Sequence, residues 1–242
     1  MQIAKTRFIT TLIAWLDEHQ ITAVLFDLDG TLINRDNAIK RWAASFVRAT
    51  FRSENESNFN ELVAFILDLD ADGRGSKTAM FAEIKKRAPW LRDDVASLVN
   101  AFREQLLSYI VLDTDAEHLL DALSVASIPF GIVTNGSSHQ LGKIRQLDLE
   151  QLTTCIFISE FFGCKKPNPA IFLAAASCLK TKPQNILFVG DDLISDIAGA
   201  SSVGMKTVWL HRGRKWSIPK VKPDFVLGSL GELFEKEGIP NA

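Results

Sequence analysis

Apolar positions along the chain follow two different rhythms. Short unbroken runs stand at Ala23–Phe26, Phe130–Thr134, Cys155–Ile158, Ile186–Val189, Thr207–Leu210 and Phe225–Leu227, each bounded by polar or turn residues. Such runs suit strands buried on both faces. Helical patterns lie between most of them. Strand alternating with helix predicts an α/β fold, a Rossmann-like parallel sheet covered on both sides.

From about Asn34 to about Ile110 the rhythm changes. Trp42, Phe46 and Ala49 repeat at helical spacing. So do Leu62, Phe65, Ile66 and Leu69, then Phe81, Ile84 and Ala88, then Leu98, Phe102, Leu106 and Ile110. Roughly four helices are expected between the first two strands. The expected organisation is a sheet core over 1–34 and 111–242 with an α-helical domain inserted over 35–110. An insert after the first strand is expected near the carboxyl end of the sheet, where open α/β folds bind ligands. At the N-terminus, Ile3, Phe8, Leu12, Ile13 and Leu16 fall near helical spacing, and Asp17 and Glu18 follow. That reads as an amphipathic helix rather than a secretory signal, and no run approaches the roughly 20 apolar residues of a membrane span.

Composition narrows the function. With 242 residues, 47% hydrophobic and 23% charged, the chain is long and apolar enough for a real core. A net charge of −2 removes the general basic footprint of a nucleic-acid binder. Small anionic substrates remain open, because a few local cations can hold a phosphate. Cys155, Cys164 and Cys178 match no zinc spacing and are expected as reduced, packed thiols in a cytoplasmic protein.

Four strand ends carry polar chemistry. In Val24-Leu25-Phe26-Asp27-Leu28-Asp29-Gly30-Thr31-Leu32 an apolar strand stops at two carboxylates. Positions i and i+2 of an extended chain face the same side, so Asp27 and Asp29 can share one site. Their repulsion calls for a hard divalent cation such as Mg2+. The competing reading, a hairpin turn at Asp29-Gly30, lacks a partner strand. Gly190-Asp191-Asp192, with Asp196 beyond, ends a second apolar strand and offers a third carboxylate. A plain helix cap there is the alternative. Thr134, Asn135 and Gly136 end a third strand with groups able to donate to phosphate oxygens. Lys165 and Lys166 precede Pro167 on a stiff segment suited to a fixed positive charge.

Taken together and in this order, the four motifs resemble the haloacid dehalogenase-like (HAD) hydrolase superfamily, from about Ile21 to about Leu227. The helical insert resembles the C1 cap of subfamily I, the group of phosphoglycolate phosphatases and YjjG-type nucleotidases. The resemblance implies Mg2+-dependent hydrolysis of a small phosphorylated metabolite through an aspartyl-phosphate. Asp27 would be the nucleophile. Asp29 would be the general acid, then the base. Thr134 and Lys166 would hold the transferring phosphoryl group with Asn135 and Gly136. Asp27, Asp191 and the backbone carbonyl of Asp29 would bind Mg2+, supported by Asp196 and Asp192. Lys166 is chosen over Lys165 because the family's lysine directly precedes proline.

The intact Asp29 favours phosphoester hydrolysis over dehalogenation, in which family members lack the second acid. A phosphomutase and a non-catalytic binding protein of the same fold stay open as alternatives. A receiver domain, at about half this length, does not. No membrane or nucleic-acid partner is expected, and the assembly is a monomer or a homodimer. The residues name no particular phosphomonoester. Asp68-Leu69-Asp70-Ala71-Asp72-Gly73 mimics a calcium loop but places Ala79 where a bidentate acid belongs. Arg74 and Lys77 in the same stretch are candidates to meet an anionic substrate. Trp42 is a candidate for a cavity wall or for packing. His139 and His211 gain no role, because Asp29 already supplies the base.

Overall fold

The structure is a computed structural model and describes residues 2–51, 56–71, 73, 75–216 and 218–234. The chain divides into two compact units, 1–33 with 112–242, and 34–111.

The first unit opens with α1 (Gln2–Glu18), whose Leu12 and Leu16 are buried. The side chains of Ile3 and Phe8 lie outside the described residues. β1 (Ala23–Phe26) follows and is buried at every position. The helical unit holds α2 (Arg35–Thr50), α3 (Glu56–Asp70), α4 (Lys77–Arg87) and α5 (Val95–Leu107). The chain then returns to the first unit through α6 (Thr114–Val125), β2 (Phe130–Thr134), α7 (Ser138–Gln146) and the single turn α8 (Leu149–Leu152). β3 (Ile156–Ile158), the turn α9 (Ser159–Phe162), α10 (Pro169–Cys178) and β4 (Ile186–Gly190) come next. A π-helical segment, Leu193–Ala198, runs into α11 (Gly199–Ser202), and β5 (Lys206–Leu210) and β6 (Phe225–Leu227) complete the sheet.

The sheet order is β3-β2-β1-β4-β5-β6, and every neighbouring pair is parallel. β1 therefore lies between β2 and β4, with Phe26 opposite both Ile132 and Val189. The residues just past these positions emerge together at the carboxyl edge. The strand order reverses there, and such a reversal leaves a crevice at the strand tips. Leu25, Val133 and Phe188 pack against Ile171 and Phe172 of α10. Phe172 meets Phe188 edge-on at 5.1 Å between ring centroids. Each such side chain contributes roughly 1.5–3 kcal/mol through burial, so the sheet holds the site rigidly from below.

Cysteine chemistry departs from the expectation of three reduced thiols. Cys155 and Cys178 form a disulfide, with Cα atoms 5.8 Å apart, and Cys164 is free. The sequence hid this because 23 positions separate the pair. Packing the end of α10 beside the start of β3 brings them together.

In the helical unit, Trp42 is buried and stacks on Phe46 at 4.9 Å. It meets Phe102 edge-on at 4.6 Å and donates its indole N–H to Gln105 Oε1 at 3.1 Å. It packs the interior of this unit. Asp70, only 1% exposed, is not a calcium ligand in waiting. It accepts two hydrogen bonds from Arg35, at 2.7 and 2.9 Å, and one from the Gly73 amide, and pairs with Lys77 at 2.6 Å. Burial raises its pKa, but Arg35 and then Lys77 outweigh that and hold the carboxyl below its ordinary range. Lys77, expected as a loop cation for substrate, also donates to the Gly75 carbonyl at 3.0 Å and so is tied to its own loop. Asp72 and Arg74 lie outside the described residues.

Breaking a buried ion pair by removing one partner is strongly destabilising, because the remaining charge is left uncompensated. Asp70→Ala is expected to lower stability by about 3 kcal/mol, read from the urea midpoint of unfolding. An unchanged midpoint would show that Arg35 and Lys77 find water as readily as they find Asp70.

Candidate active site

The tips of β1 and β4 approach closely, and glycine allows it. Asp27 directly follows β1, and its amide donates to the Val189 carbonyl at 2.9 Å. Gly30 has φ +84°, and a Cβ there would sit 2.3 Å from Asp191 Oδ2. A Cβ on Gly190 would sit 2.5 Å from Cβ of Asp196. Any side chain at either glycine would push the acidic tips apart.

Lys166 is buried among these acids, whereas Lys165 is exposed. An ammonium has three protons to donate. Here Nζ lies 2.6 Å from Asp27 Oδ1, 2.7 Å from Asp196 Oδ1 and 2.7 Å from the Val133 carbonyl. Its backbone is clamped by Asn135, whose Oδ1 accepts from the Lys166 amide at 2.8 Å and whose Nδ2 donates to the Lys166 carbonyl at 3.0 Å. Asn168 caps α10 and Pro169 opens it, which fixes the segment on the other side. Burial works to lower the Lys166 pKa, but Asp196 and Asp27 outweigh it and raise it, so the ammonium stays charged.

Asp27, Asp191 and Asp196 each offer a carboxylate oxygen within 4.8 Å of the others. Burial pushes the Asp27 carboxyl well above its ordinary range; Lys166 opposes this, while Asp196 and Asp191 add to it. Burial, then Asp196, push Asp191 up to about 6 against the pull of Arg214. Arg214 Nη2 lies 2.9 Å from Asp191 Oδ2. Fully ionised, the three carboxylates would exceed Lys166 and Arg214 by one negative charge. A hard oxygen donor set short of positive charge suits a divalent cation such as Mg2+. Asp196 also accepts on Oδ2 from the amides of Asp191 and Asp192, at 3.1 and 3.0 Å. Asp192 turns its own side chain onto the amides of Ile194 and Ser195 and caps the π-helical segment.

The Asp29 carboxylate faces α7. Lys143 Nζ lies 2.7 and 2.5 Å from its two oxygens, and Gln140 Nε2 donates to Oδ2 at 2.9 Å. The same Gln140 amide donates to Thr134 Oγ1 at 2.7 Å. Having accepted that bond, the Thr134 hydroxyl keeps its own proton for an acceptor in the crevice. The Gly136 amide donates to Ser159 Oγ at 3.0 Å. Asp29 serves the metal, in the expected scheme, through its backbone carbonyl, so its side chain is available to α7.

Gln140, Lys143, Arg212 and Arg214 were not singled out as site residues by the motifs. Gln140 and Lys143 carry a readable signal, since spacing i, i+3 puts both on one face of the helix after Thr134-Asn135-Gly136. Arg212, Arg214 and Lys215 form a short basic patch in the sequence, too short to argue for nucleic acid. In the structure, Arg212 donates to the carbonyls of Gly30 and Thr31, at 2.6 and 2.8 Å, and pairs with Asp113 at 2.9 Å. The loop after β5 thus braces the loop after β1. His139 is exposed, and His211 accepts from the Gly213 amide through Nδ1.

Comparison with known proteins agrees with this geometry. The sequence model of the haloacid dehalogenase-like hydrolases matches residues 24–210. A glyceraldehyde 3-phosphate phosphatase of Pyrococcus furiosus is 30% identical over 230 residues, covering 89% of this chain and 92% of its own. A phosphoglycolate phosphatase of Photorhabdus laumondii is 26% identical over 225 residues, covering 91% and 94%. Among solved structures, the HAD-hydrolase YfnB of Bacillus subtilis, bound to magnesium, superposes with a TM-score of 0.69 at 23% identity, over 88% of this chain and 97% of that one. The parallel six-stranded sheet, the acids at its strand tips and the match across most of the chain lead to one assignment: the chain belongs to the haloacid dehalogenase-like hydrolases, in subfamily I.

Proposed function

We propose that this hydrolase cleaves a small-molecule phosphomonoester through an aspartyl-phosphate on Asp27, with Mg2+ as its metal. It is a phosphatase, as its relatives that act on glyceraldehyde 3-phosphate and phosphoglycolate are. The observation that carries the reading is the Asp27 carboxylate at the tip of β1, held against a buried, permanently charged Lys166.

An anionic nucleophile meets a phosphate dianion only where cations offset the repulsion. Lys166 offsets it from one side of Asp27. Bound Mg2+, held by Asp27 and Asp191 with Asp196 in support, would supply the remaining positive charge. Asp27 Oδ attacks phosphorus while the bond to the leaving oxygen breaks. The Asp29 carboxyl gives its proton to that oxygen. Asp29, now a carboxylate, takes a proton from water, whose oxygen attacks the aspartyl-phosphate. Inorganic phosphate leaves, and the Asp27 carboxylate is restored. Thr134 Oγ donates to a phosphoryl oxygen throughout. In this reading the inserted helical unit is the cap that chooses the leaving group.

No described helix is long and apolar enough to cross a membrane. A cytoplasmic location belongs to the proposal. Disulfides are rare in cytosolic proteins, so the Cys155–Cys178 bond weighs against that location.

A phosphate-release screen over small phosphomonoesters, run with Mg2+, is expected to find substrates for the wild type. Asp27→Asn is expected to lose more than about a thousandfold in kcat. Full activity in that variant would remove Asp27 as the nucleophile. Metal binding is tested by heat. The folded pKa of Asp191, about 6, lies above the ordinary carboxylate value. Its contribution to metal-free stability is therefore complete below about pH 4 and is lost as pH rises through about 6. Mg2+ needs the ionised carboxylates, so it opposes that loss. The thermal midpoint is expected to rise by roughly 5 °C at a hundredfold excess over Kd at pH 7.5, and by less at pH 5. No rise at either pH would count against a metal at these acids.

A further inference from the structure

We propose that Arg212 is a positioning residue for the reaction: its guanidinium fixes the backbone of the loop after β1 and so holds Asp27 in place at the crevice. The proposal rests on the phosphatase reading above. That loop turns sharply. Gly30 is left-handed, at φ +84°. The Gly30 amide donates to the Ile33 carbonyl at 2.8 Å, and the Ile33 amide to the Leu28 carbonyl at 2.9 Å. The Leu32 carbonyl accepts from the Asp113 amide at 2.9 Å. The carbonyls of Gly30 and Thr31 go to Arg212, whose Nε donates to the first at 2.6 Å and whose Nη2 donates to the second at 2.8 Å. Nη1 donates to Asp113 Oδ2 at 2.9 Å, while Asp113 Oδ1 caps α6 by accepting from the Asp115 amide at 3.1 Å.

A guanidinium is a rigid planar fork, so it sets directions as well as distances. Here it fixes two successive peptide planes directly after Asp29 and Gly30. Arg212 itself sits at φ +45°, where a residue with a side chain is rarely found. Such a backbone persists only where its surroundings hold it, and it gathers at sites whose geometry serves function. The Arg212 side chain is 17% exposed, so its three contacts are not those of a solvated surface arginine. On the other side, Asp27 is anchored by its amide on the Val189 carbonyl at 2.9 Å and by Lys166 at 2.6 Å. Arg212 supplies the anchor downstream. The nucleophile must meet phosphorus in line, and a displacement of about 1 Å is enough to cost about a hundredfold in rate. Arg212 acts only through the loop backbone.

Two variants separate positioning from plain bracing. Arg212→Lys keeps a cation for Asp113, but one nitrogen cannot serve two carbonyls and a carboxylate in the geometry of the fork. Asp113→Asn weakens the ion pair, keeps an oxygen to cap α6 and leaves Arg212 on both carbonyls. The probe is 4-nitrophenyl phosphate with Mg2+. Arg212→Ala is expected to lose about a hundredfold in kcat with KM changed by less than about threefold. Added guanidinium ion, at a concentration that does not denature, is expected to restore part of that kcat and none of the kcat of Asp27→Asn. Arg212→Lys is expected to lose at least about tenfold in kcat. Asp113→Asn is expected to lower the thermal midpoint by about 3 °C and to keep kcat within about threefold of the wild type. Hydrogen exchange reads the loop without a substrate, and the Gly30 and Ile33 amides are expected to exchange at least about tenfold faster in Arg212→Lys. Unchanged exchange there overturns the inference, which keeps it refutable if Arg212→Ala fails to fold. So does a kcat of Asp113→Asn as low as that of Arg212→Ala, because the contact would then only brace the fold. If Asp27→Asn is inactive and Arg212→Lys keeps its full kcat, the role of Arg212 falls and the phosphatase stands. If Asp27→Asn is active, the phosphatase reading itself falls.

Discussion

A buried ammonium is costly unless it is paired, and Lys166 is paired on three sides. Asp27, Asp196 and the Val133 carbonyl each lie within 2.7 Å of Nζ. The converse holds too. Asp27 and Asp196 are buried acids that would repel each other without the lysine between them. The triad therefore ties the tips of β1 and β2 and the π-helical segment after β4 to the loop before α10. Each glycine at these tips serves the same closeness. Gly30 and Gly190 stand where a Cβ would collide with Asp191 or Asp196.

That triad leaves an imbalance of charge. The acids outnumber the cations, and burial pushes Asp27 and Asp191 toward their neutral forms. In the proposed reading, a divalent cation bound at these acids would favour their ionised forms. Arg214 holds Asp191 at 2.9 Å, close enough to share its carboxylate with whatever cation arrives. Asp29 sits apart from this arrangement. Its carboxylate is given to Lys143 and Gln140 on α7, away from the acidic cluster. Asp27 and Asp29 thus stand in different surroundings, the first against Lys166 and the second against Lys143 and Gln140.

The helical unit follows a separate logic. Its interior is aromatic, with Trp42, Phe46, Phe81 and Phe102 meeting at centroid distances of 4.6 to 6.1 Å. Among its described residues the one strongly buried charge, Asp70, is matched by Arg35 and Lys77. The acids in that loop imitate a calcium motif in sequence. Their spacing says nothing of Arg35, which is 35 positions away and takes Asp70 with both terminal guanidinium nitrogens.

What the chain settled by itself is whatever depends on local order. Apolar runs of strand length located β1, β2, β4 and β6 nearly to the residue, because strands of a covered parallel sheet read as near-continuous apolar runs. The order of the motifs brought Asp27, Asp191 and Lys166 forward as a set, and proline after Lys166 distinguished it from Lys165. Tertiary structure decided the pairings. Only folding brought Cys155 to Cys178, Asp196 to Lys166, Lys143 to Asp29, and Arg212 to the carbonyls of Gly30 and Thr31. Spacing along a strand or helix constrains which side chains share a face. It does not constrain which of two distant faces will meet, since that choice rests on strand order and on the packing of helices against the sheet.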